Sequence, residues 1–426
     1  MIAAAAEAWR RWRAPLSAGV LDQVVVSGAN FVLNVLLARW MSPSNYGEFA
    51  IAFAVLLLVA GPHGALLTDP LNVVGVRRFY GRYPQYLRAL LTLHAALTIP
   101  LGALIAAVAL WSGATPHLPA AWLVTLGIVT PVVLLLWLLR GACYLELRPG
   151  GALTGSALYG IVLLGLVLLG HLGSWLTPPM AVVLMGVASA LASLRIAASL
   201  GLLSPPWTSL DLPLVIHEHW SYGRWILGAS LAHGVAYGLY VPLVGALVGL
   251  EQTAVLRALQ NLVLPLQQVL TGITMVAYPS MSRQVVEHGP AYLRRRGPLF
   301  LLVGVGLATV YGIAIAALGR PLLGALYGTG YYAGYASLMS LIALAAIMTS
   351  VAQFLSILVR VMNQPRAVLW SKLAAAAWLA GPGLVLVRAS GVSGAAWSLA
   401  GGSLAEALVL AFVLTRRVAL AAAASQ

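Results

Sequence analysis

Residues Leu21 to Leu58 read LDQVVVSGANFVLNVLLARWMSPSNYGEFAIAFAVLLL, two apolar segments joined by the short polar turn SPSNYG. An apolar helix of about 20 residues is long enough to cross a hydrocarbon core of about 30 Å. The serines, proline, asparagine and glycine of the turn are residue types that end helices and reverse the chain. The stretch therefore predicts two consecutive membrane-spanning helices that run in opposite directions.

The same pattern recurs along the whole chain. Of its 426 residues 61% are hydrophobic and only 8% are charged, which is too little charge to cover the surface of a soluble protein. We therefore predict an all-α polytopic membrane protein. Twelve spans are expected, at residues 17–38, 48–72, 87–111, 120–145, 151–171, 179–203, 221–248, 254–281, 298–318, 335–360, 367–388 and 392–415.

The basic residues indicate how these spans are oriented. The net charge is +14, and with a cytoplasmic N-terminus 20 of the Lys and Arg residues fall on the cytoplasmic side and 4 on the other. Because basic residues are enriched in cytoplasmic loops, this split predicts twelve spans with both termini in the cytoplasm. Charge that follows the loops in this way indicates membrane topology, so nucleic acid is not an expected partner.

Cysteine usage and the N-terminus exclude other classes of site. The one cysteine, Cys143, allows no intrachain disulfide, and no Cys/His spacing typical of a metal site occurs, so neither a metal nor a cofactor is expected. Arg10, Arg11 and Arg13 resemble the start of a signal peptide, but the segment after them is too long and too polar for one. It is interpreted as the first retained span.

The longest polar connection, residues 204–220, lies at the midpoint of the chain. It divides the protein into an N-terminal lobe of six spans, residues 1–203, and a C-terminal lobe of six spans, residues 221–426. Since six is an even number, both lobes start on the same side of the membrane, as parallel repeats do. Two lobes around a central cleft are the expected architecture.

Polar side chains form stripes on several spans. In the first span Gln23, Ser27, Asn30 and Asn34 follow one another at spacings of 4, 3 and 4, so they share one helical face. Amides on such a face either hydrogen-bond to neighbouring helices or line a wet cleft. Four on one stripe favour the cleft.

The stretch RALQNLVLPLQQ in the eighth span is the most polar of these. Its stripe consists of Arg257, Asn261, Leu264, Gln268 and Thr271, with Gln260 and Gln267 beside it. An arginine that faces lipid costs about 3 kcal/mol or more, so the stripe is expected to face the cleft. Snorkelling to the membrane surface is the alternative for Arg257.

The seventh span carries a third polar stripe. The cleft-lining residues expected in the seventh span are Arg224, His233, Tyr237 and Tyr240.

Proline removes a helix hydrogen bond, so Pro62, Pro242 and Pro265 are expected hinges. Amides suit hydroxyl-rich sugars and arginine suits phosphate, so these residues are compatible with an anionic passenger that carries sugars.

Residues 21–58 resemble the opening of the bacterial oligosaccharide flippases of the multidrug/oligosaccharidyl-lipid/polysaccharide exporter superfamily. The similarity continues through GLEQTAVLRALQNLVLPLQQVLTG (249–272) and LLGALYGTGYYAGYASLMSLIALA (322–345), and it covers nearly the whole chain. The resemblance implies two six-helix lobes and alternating access. It also implies that a polyprenyl-pyrophosphate-linked oligosaccharide crosses the bacterial plasma (inner) membrane, for a surface polysaccharide that a polymerase and chain-length machinery would complete.

The resemblance also implies a binding site and raises the question of ion coupling. The positions that match the family's cavity are Asn30, Asn34, Arg257, Gln260 and Asn261. No complete set of coupling carboxylates matches. Asp22 and Asp69, near the cytoplasmic ends of their spans, are the candidates for ion coupling, and Glu406 in the last span is expected to form a structural pair.

Three other functions remain as alternatives. A multidrug exporter of the same superfamily would favour a more acidic and aromatic cavity than these stripes indicate. A membrane-embedded polysaccharide polymerase or ligase would need paired acidic groups or a large loop, and every predicted outer loop is short. A purely structural scaffold would leave the polar stripes without a function. The chain is therefore expected to be a transporter and not an enzyme.

Overall fold

The computed structural model describes residues 2–111, 120–203, 212–289, 291–328, 330–362 and 364–423. In this part of the chain the protein is 92% helical and contains no strand, which confirms the predicted all-α class. The helices divide into two compact units. Unit 1 consists of Met1–Met41 and Ala52–Leu231, and unit 2 of Ser42–Ile51 and Ala232–Gln426.

The first eight helices form most of unit 1. They are α1 (Ile2–Trp40), α2 (Pro43–His63), α3 (Asp69–Arg78), α4 (Tyr83–Trp111), α5 (Ala120–Leu145), α6 (Pro149–Leu172), α7 (Pro178–Ser199) and α8 (Leu212–His233). A π-helical turn, Gly64–Thr68, joins α2 to α3 and makes them one long span.

Nine further helices complete the chain. They are α9 (Tyr240–Val248), α10 (Leu250–Asn261), α11 (Leu264–His288), α12 (Ala291–Ala317), α13 (Gly319–Tyr327), α14 (Gly330–Ala333), α15 (Met339–Val361), α16 (Pro365–Trp378) and α17 (Leu384–Ala423). Two more π-helical turns, Gly234–Gly238 and Leu379–Gly383, lie before α9 and after α16.

Length and hydropathy alone identify nine candidate membrane spans in the described residues. One of them, Arg366–Arg416, is 51 residues long and contains Gly391, whose φ of 58° breaks the helix, so it holds two crossings. The interrupted helix pairs α8–α9 and α10–α11 supply two more. Described helices therefore occupy all twelve predicted spans, with short helices α13 and α14 between the ninth and the tenth.

Helix pairing repeats from unit 1 to unit 2. In unit 1, α4 packs on α5, α5 on α7, and α6 on α7. In unit 2 the helices six spans later pair in the same way: α12 packs on α15, α15 on α17, and α16 on α17. The same order in the same direction is what a parallel repeat produces.

The ends of the helices follow from local chemistry. The Thr177 side chain caps α7 by accepting a hydrogen bond from the Met180 N–H at 3.4 Å, and Pro178 occupies the first turn. Inside α17, Gly391 has a positive φ, and the Val392 N–H next to it donates to Gln252 Oε1 at 2.7 Å. A Cβ at position 391 would lie 2.2 Å from that oxygen, so only glycine fits there.

The compact units begin and end at other residues than the lobes expected from the sequence. Residues 204–211 of the expected connection lie outside the described residues, and α8 begins at Leu212. Residues 42–51 belong to unit 2, because the backbone of Gly47 approaches Leu250 closely. A Cβ at Gly47 would lie 2.1 Å from the Leu250 carbonyl oxygen, a distance that no larger residue permits.

Candidate functional site

Unit 2 contains a cavity of about 540 Å³ that follows the length of α15. The α15 residues in its wall recur every three or four positions: Ile342, Ala345, Ala346, Thr349, Ala352, Gln353, Ser356, Ile357 and Arg360. Ile342 and Arg360 are 18 residues apart, which corresponds to about 27 Å of helix. One continuous face of α15 therefore forms the floor of the cavity.

The broken helix α10–α11 forms a second wall. Its cavity-facing polar residues are Arg257, Gln260, Gln267 and Thr274. Helix α10 ends at Asn261, and Leu262 and Val263 form a tight turn in which the Val263 N–H donates to the Gln260 carbonyl at 2.9 Å. Pro265 then starts α11 because its ring fits the first helical turn.

Among the described residues, three cations and one carboxylate line this cavity. Arg257 is buried on α10 and lies beside the hydroxyls of Tyr46 and Tyr327. Arg360 lies in the last turn of α15, where the helix dipole favours a positive charge. Lys372 comes from α16, and the carboxylate is that of Glu406 on α17. The wall therefore attracts anions.

Lys372 and Glu406 form an ion pair within the wall. Lys372 Nζ lies 2.7 Å from Glu406 Oε1, and the Tyr237 hydroxyl donates to Glu406 Oε2 at 3.0 Å. The lysine side chain is 21% exposed and that of the glutamate only 4%, so the lysine is the more accessible partner. Lys372 Nζ also lies 5.3 Å above the centre of the Tyr237 ring, a favourable cation–π distance.

The π-helical turn Gly234–Gly238 places two predicted residues in this wall. His233 precedes the turn and Tyr237 lies within it, and their rings are 5.2 Å apart. A π-helical turn carries an extra residue, which changes the direction in which the following side chains point. With Arg257 and Gln260, four of the residues predicted to bind a passenger line one cavity.

Other predicted residues of unit 2 lie elsewhere. Asn261 is fully buried, and its side-chain amide donates to the Tyr46 hydroxyl at 2.9 Å. Tyr240 is buried and donates to the Ala395 carbonyl at 2.9 Å. Gln268 is exposed and is not part of the cavity wall. The first two therefore hold helices together within unit 2.

Within unit 1 the predicted polar stripe of α1 makes local hydrogen bonds. The side-chain amides of Asn30 and Asn34 donate to the carbonyls of Val26 and Asn30, at 2.9 and 2.8 Å, and Asn30 Oδ1 accepts from Tyr159 of α6 at 2.9 Å. The exposed Gln23 donates to Ser27 at 3.0 Å. Arg224 of α8 is exposed. A passenger-binding role for these four residues stays a prediction.

The two carboxylates predicted to couple an ion differ in their surroundings. Asp22 is fully buried and accepts hydrogen bonds from Arg140 at 2.7 and 3.3 Å and from Tyr144 and Ser156. Asp69 is exposed at the start of α3. Asp22 therefore belongs to a buried ion-pair network of unit 1, and ion coupling at either residue stays a prediction.

The three predicted hinge prolines lie at helix irregularities. Pro62 comes just before the π-helical turn Gly64–Thr68, and Pro242 follows the turn Gly234–Gly238 in the first turn of α9. Pro265 follows the break between α10 and α11. The irregular geometry fits the loss of a backbone donor at each proline, and movement at these points stays a prediction.

Sequence reasoning missed most of the cavity wall. Thr349, Gln353, Ser356 and Arg360 follow one another at spacings of 4, 3 and 4, the pattern that identified the stripe of α1. Lys372 gave no such signal. Ser403 lies three residues before Glu406 and so shares its face of α17, but two residues are too few to identify a stripe. Among the described residues, no group of three His, Cys, Asp or Glu side chains is arranged to hold a metal ion.

Comparisons with known proteins identify the fold. No family model matches the chain, and no curated protein matches it. Among solved structures, the chain is similar to an inward-facing multidrug resistance MATE family transporter of the MOP superfamily, with a TM-score of 0.76, 13% identity, and 96% of this chain and 100% of the other covered.

Two other solved structures are similar to a comparable extent. One is a MOP superfamily transporter from Pyrococcus furiosus, described as having a binding pocket of reversed polarity, with a TM-score of 0.64, 14% identity and 94% of each chain covered. The other is a point mutant of the Vibrio cholerae MATE transporter VcmN, with a TM-score of 0.67, 9% identity and 96% of each chain covered. At these identities the likeness shows the fold, which is that of the MOP transporters, with about twelve helices in two lobes.

Proposed function

We propose that the protein is a flippase that moves a polyprenyl-pyrophosphate-linked oligosaccharide from the cytoplasmic to the outer leaflet of a bacterial inner membrane by alternating access. The observation that carries this proposal is the lining of the unit 2 cavity, where three cations accompany a single carboxylate in the described part of the chain. A pyrophosphate group cannot cross hydrocarbon without replacement of its water shell. Arg257, Arg360 and Lys372 supply the charges that replace it.

The polar groups of the same wall suit a sugar. Gln260, Gln267 and Gln353 each offer a donor and an acceptor, and Thr349 and Ser356 add hydroxyls. A volume of about 540 Å³ falls within the range of ordinary ligand pockets. It suits the polar head of the passenger, while the polyprenyl tail remains in the bilayer.

A multidrug exporter is the second candidate, and one observation favours it. Glu406 and Tyr237 place a carboxylate beside an aromatic ring, a combination that also binds organic cations. Here Lys372 already occupies both groups, since its ammonium pairs with the carboxylate and lies over the ring. A cationic drug would have to displace this lysine, so the anionic passenger remains the better fit.

The decisive experiment compares a deletion strain with its parent. Polyprenyl-linked oligosaccharides are extracted from both, and a membrane-impermeant sugar-modifying enzyme reports which leaflet holds them. Accumulation in the cytoplasmic leaflet, with loss of surface polysaccharide, is expected. A normal distribution with new sensitivity to cationic drugs would instead support the exporter. Accumulation in the outer leaflet would indicate a polymerase or a ligase.

Complementation of that strain tests the cavity itself. We expect Gln260→Leu combined with Gln267→Leu to insert normally and to reduce export at least tenfold, because the sugar loses two amide partners. Gln284→Leu is the control, since Gln284 lies on α11 with Gln267 but outside the cavity wall. Export by the double variant at the wild-type rate would show that the cavity is not the passenger's site.

A further inference from the structure

The Lys372–Glu406 pair is unusual within this chain. Lys372 is the single lysine in the sequence, against 23 arginines among the 24 basic residues. An arginine binds a carboxylate through a rigid fork, whereas a lysine is a point charge on a flexible stem. Lys372, the more flexible type of basic side chain, therefore lies opposite the Glu406 carboxylate in the cavity wall.

The two partners differ in exposure. The Tyr237 hydroxyl holds the Glu406 carboxylate by donating to its second oxygen at 3.0 Å. The Lys372 side chain is 21% exposed, against 4% for that of Glu406. Lys372 is therefore the more accessible partner for an entering anion.

We propose that the Lys372–Glu406 pair is an exchangeable latch, in which a pyrophosphate group of the ligand takes the Lys372 ammonium from Glu406. This inference rests on the proposed function and adds to it how the site selects its anion. Glu406 acts as a built-in competitor that any anion must displace, and it is held in place by Tyr237 when the lysine leaves.

The latch would select ligands by charge density. Separating a buried ion pair leaves a charge without a partner, which is costly. A monoanion would pair with Lys372 no more strongly than the Glu406 carboxylate already does. A pyrophosphate carries several negative charges, so the Lys372 ammonium can pair with more than one of its oxygens. The exchange is therefore favourable for pyrophosphate and unfavourable for singly charged lipids.

A double-mutant cycle on the detergent-purified protein tests the latch. The probe is inorganic pyrophosphate, with inorganic phosphate as the comparison, and binding is measured by calorimetry. We expect Glu406→Gln to bind pyrophosphate about tenfold more tightly than the unmodified protein, because the competitor is gone. In a Lys372→Gln background the same change is expected to alter affinity less than twofold.

The cycle separates a latch from a general electrostatic effect. Removal of any negative charge from the cavity favours anions, so equal tightening in both backgrounds would overturn the latch. No tightening in either background would overturn it as well. Glu251→Gln is the control, because Glu251 lies at the start of α10 outside the cavity wall, and it should leave affinity unchanged.

Because Lys372 is the single lysine, the unmodified protein supplies a second readout. An uncharged acetylating reagent followed by peptide mass spectrometry measures the reactivity of that one side-chain amine. Pyrophosphate should slow acetylation at least fivefold, and an equal concentration of phosphate less than twofold. Equal protection by the two anions would overturn the proposed selectivity, even if Glu406→Gln failed to fold.

The latch and the flippase can fail separately. If complemented cells export the oligosaccharide but the double-mutant cycle shows no coupling between Lys372 and Glu406, the flippase proposal stands and the latch is excluded. If the cycle shows coupling but the deletion strain has a normal leaflet distribution of oligosaccharides, unit 2 contains a site for pyrophosphate-type anions and the flippase proposal is excluded.

Discussion

At the scale of single residues, Asp22 shows how a buried carboxylate is held in a membrane helix. It is fully buried on α1, and Arg140 and Tyr144 of α5 and Ser156 of α6 donate to its two oxygens. The charge of Arg140 offsets that of Asp22, and the hydroxyls satisfy the remaining lone pairs. Such a pair adds little over a well-packed apolar pair, but loss of one partner is costly.

The variant Asp22→Asn tests this interpretation. It leaves Arg140, which is only 13% exposed, without a counter-charge, so we expect the free energy of unfolding to fall by about 3 kcal/mol. Thermal unfolding in detergent measures the loss, and Asp22→Asn with Arg140→Gln should recover most of it. An unchanged midpoint with complete loss of transport would instead support the predicted role in ion coupling.

At the scale of helices, the spacing of polar residues along the chain explains which cavity residues the sequence predicts and which it does not. The stripe of α1 shares one face because α1 is unbroken. The stripe of α10–α11 was assigned as if the helix were continuous, yet the turn at Leu262 and Val263 interrupts it. Gln260 and Gln267 consequently line the cavity, and Asn261 packs against Tyr46.

Long-range pairs are the part of the site that spacing cannot predict. Lys372 and Glu406 lie on different helices, and nothing in their local sequence brings them together. Glu406 was expected to form a structural pair, and the structure supplies Lys372 as its partner. The twelve spans were predictable because each must satisfy its own backbone hydrogen bonds in lipid, which is a local requirement.

The break between the last two spans gives a prediction at this scale. Gly391→Ala places a Cβ 2.2 Å from Gln252 Oε1 at a φ of 58°, so we expect it to destabilise unit 2 by at least about 1 kcal/mol. Gly272→Ala, in α11 with no atom within 4 Å of the new Cβ, is the control and should be neutral or stabilising. Equal unfolding midpoints for the two variants would contradict this role for Gly391.

At the scale of the whole molecule, the two units repeat one arrangement of helices but use it differently. Unit 1 buries its carboxylate Asp22 in a network in which both oxygens accept hydrogen bonds. Unit 2 holds its carboxylate Glu406 in the wall of a cavity, next to the single lysine. The repeat thus combines a polar network in unit 1 with a polar cavity in unit 2.

The orientation of the whole chain gives the last prediction. Seven of the expected spans separate Tyr80 from Ser337, which lies at the start of the tenth span, and an odd number places the two residues on opposite sides of the membrane. Both side chains are exposed, and Cys143 is fully buried, so the unmodified protein should not react with a membrane-impermeant maleimide. In intact cells we expect Ser337→Cys to react at once and Tyr80→Cys only after permeabilisation, because the arginines near Tyr80 favour the cytoplasm. Reaction of both variants in intact cells would contradict the count of spans. Reaction of Tyr80→Cys alone in intact cells would show the opposite topology. Arg360 would then lie at the outer end of the cavity and not at its cytoplasmic end.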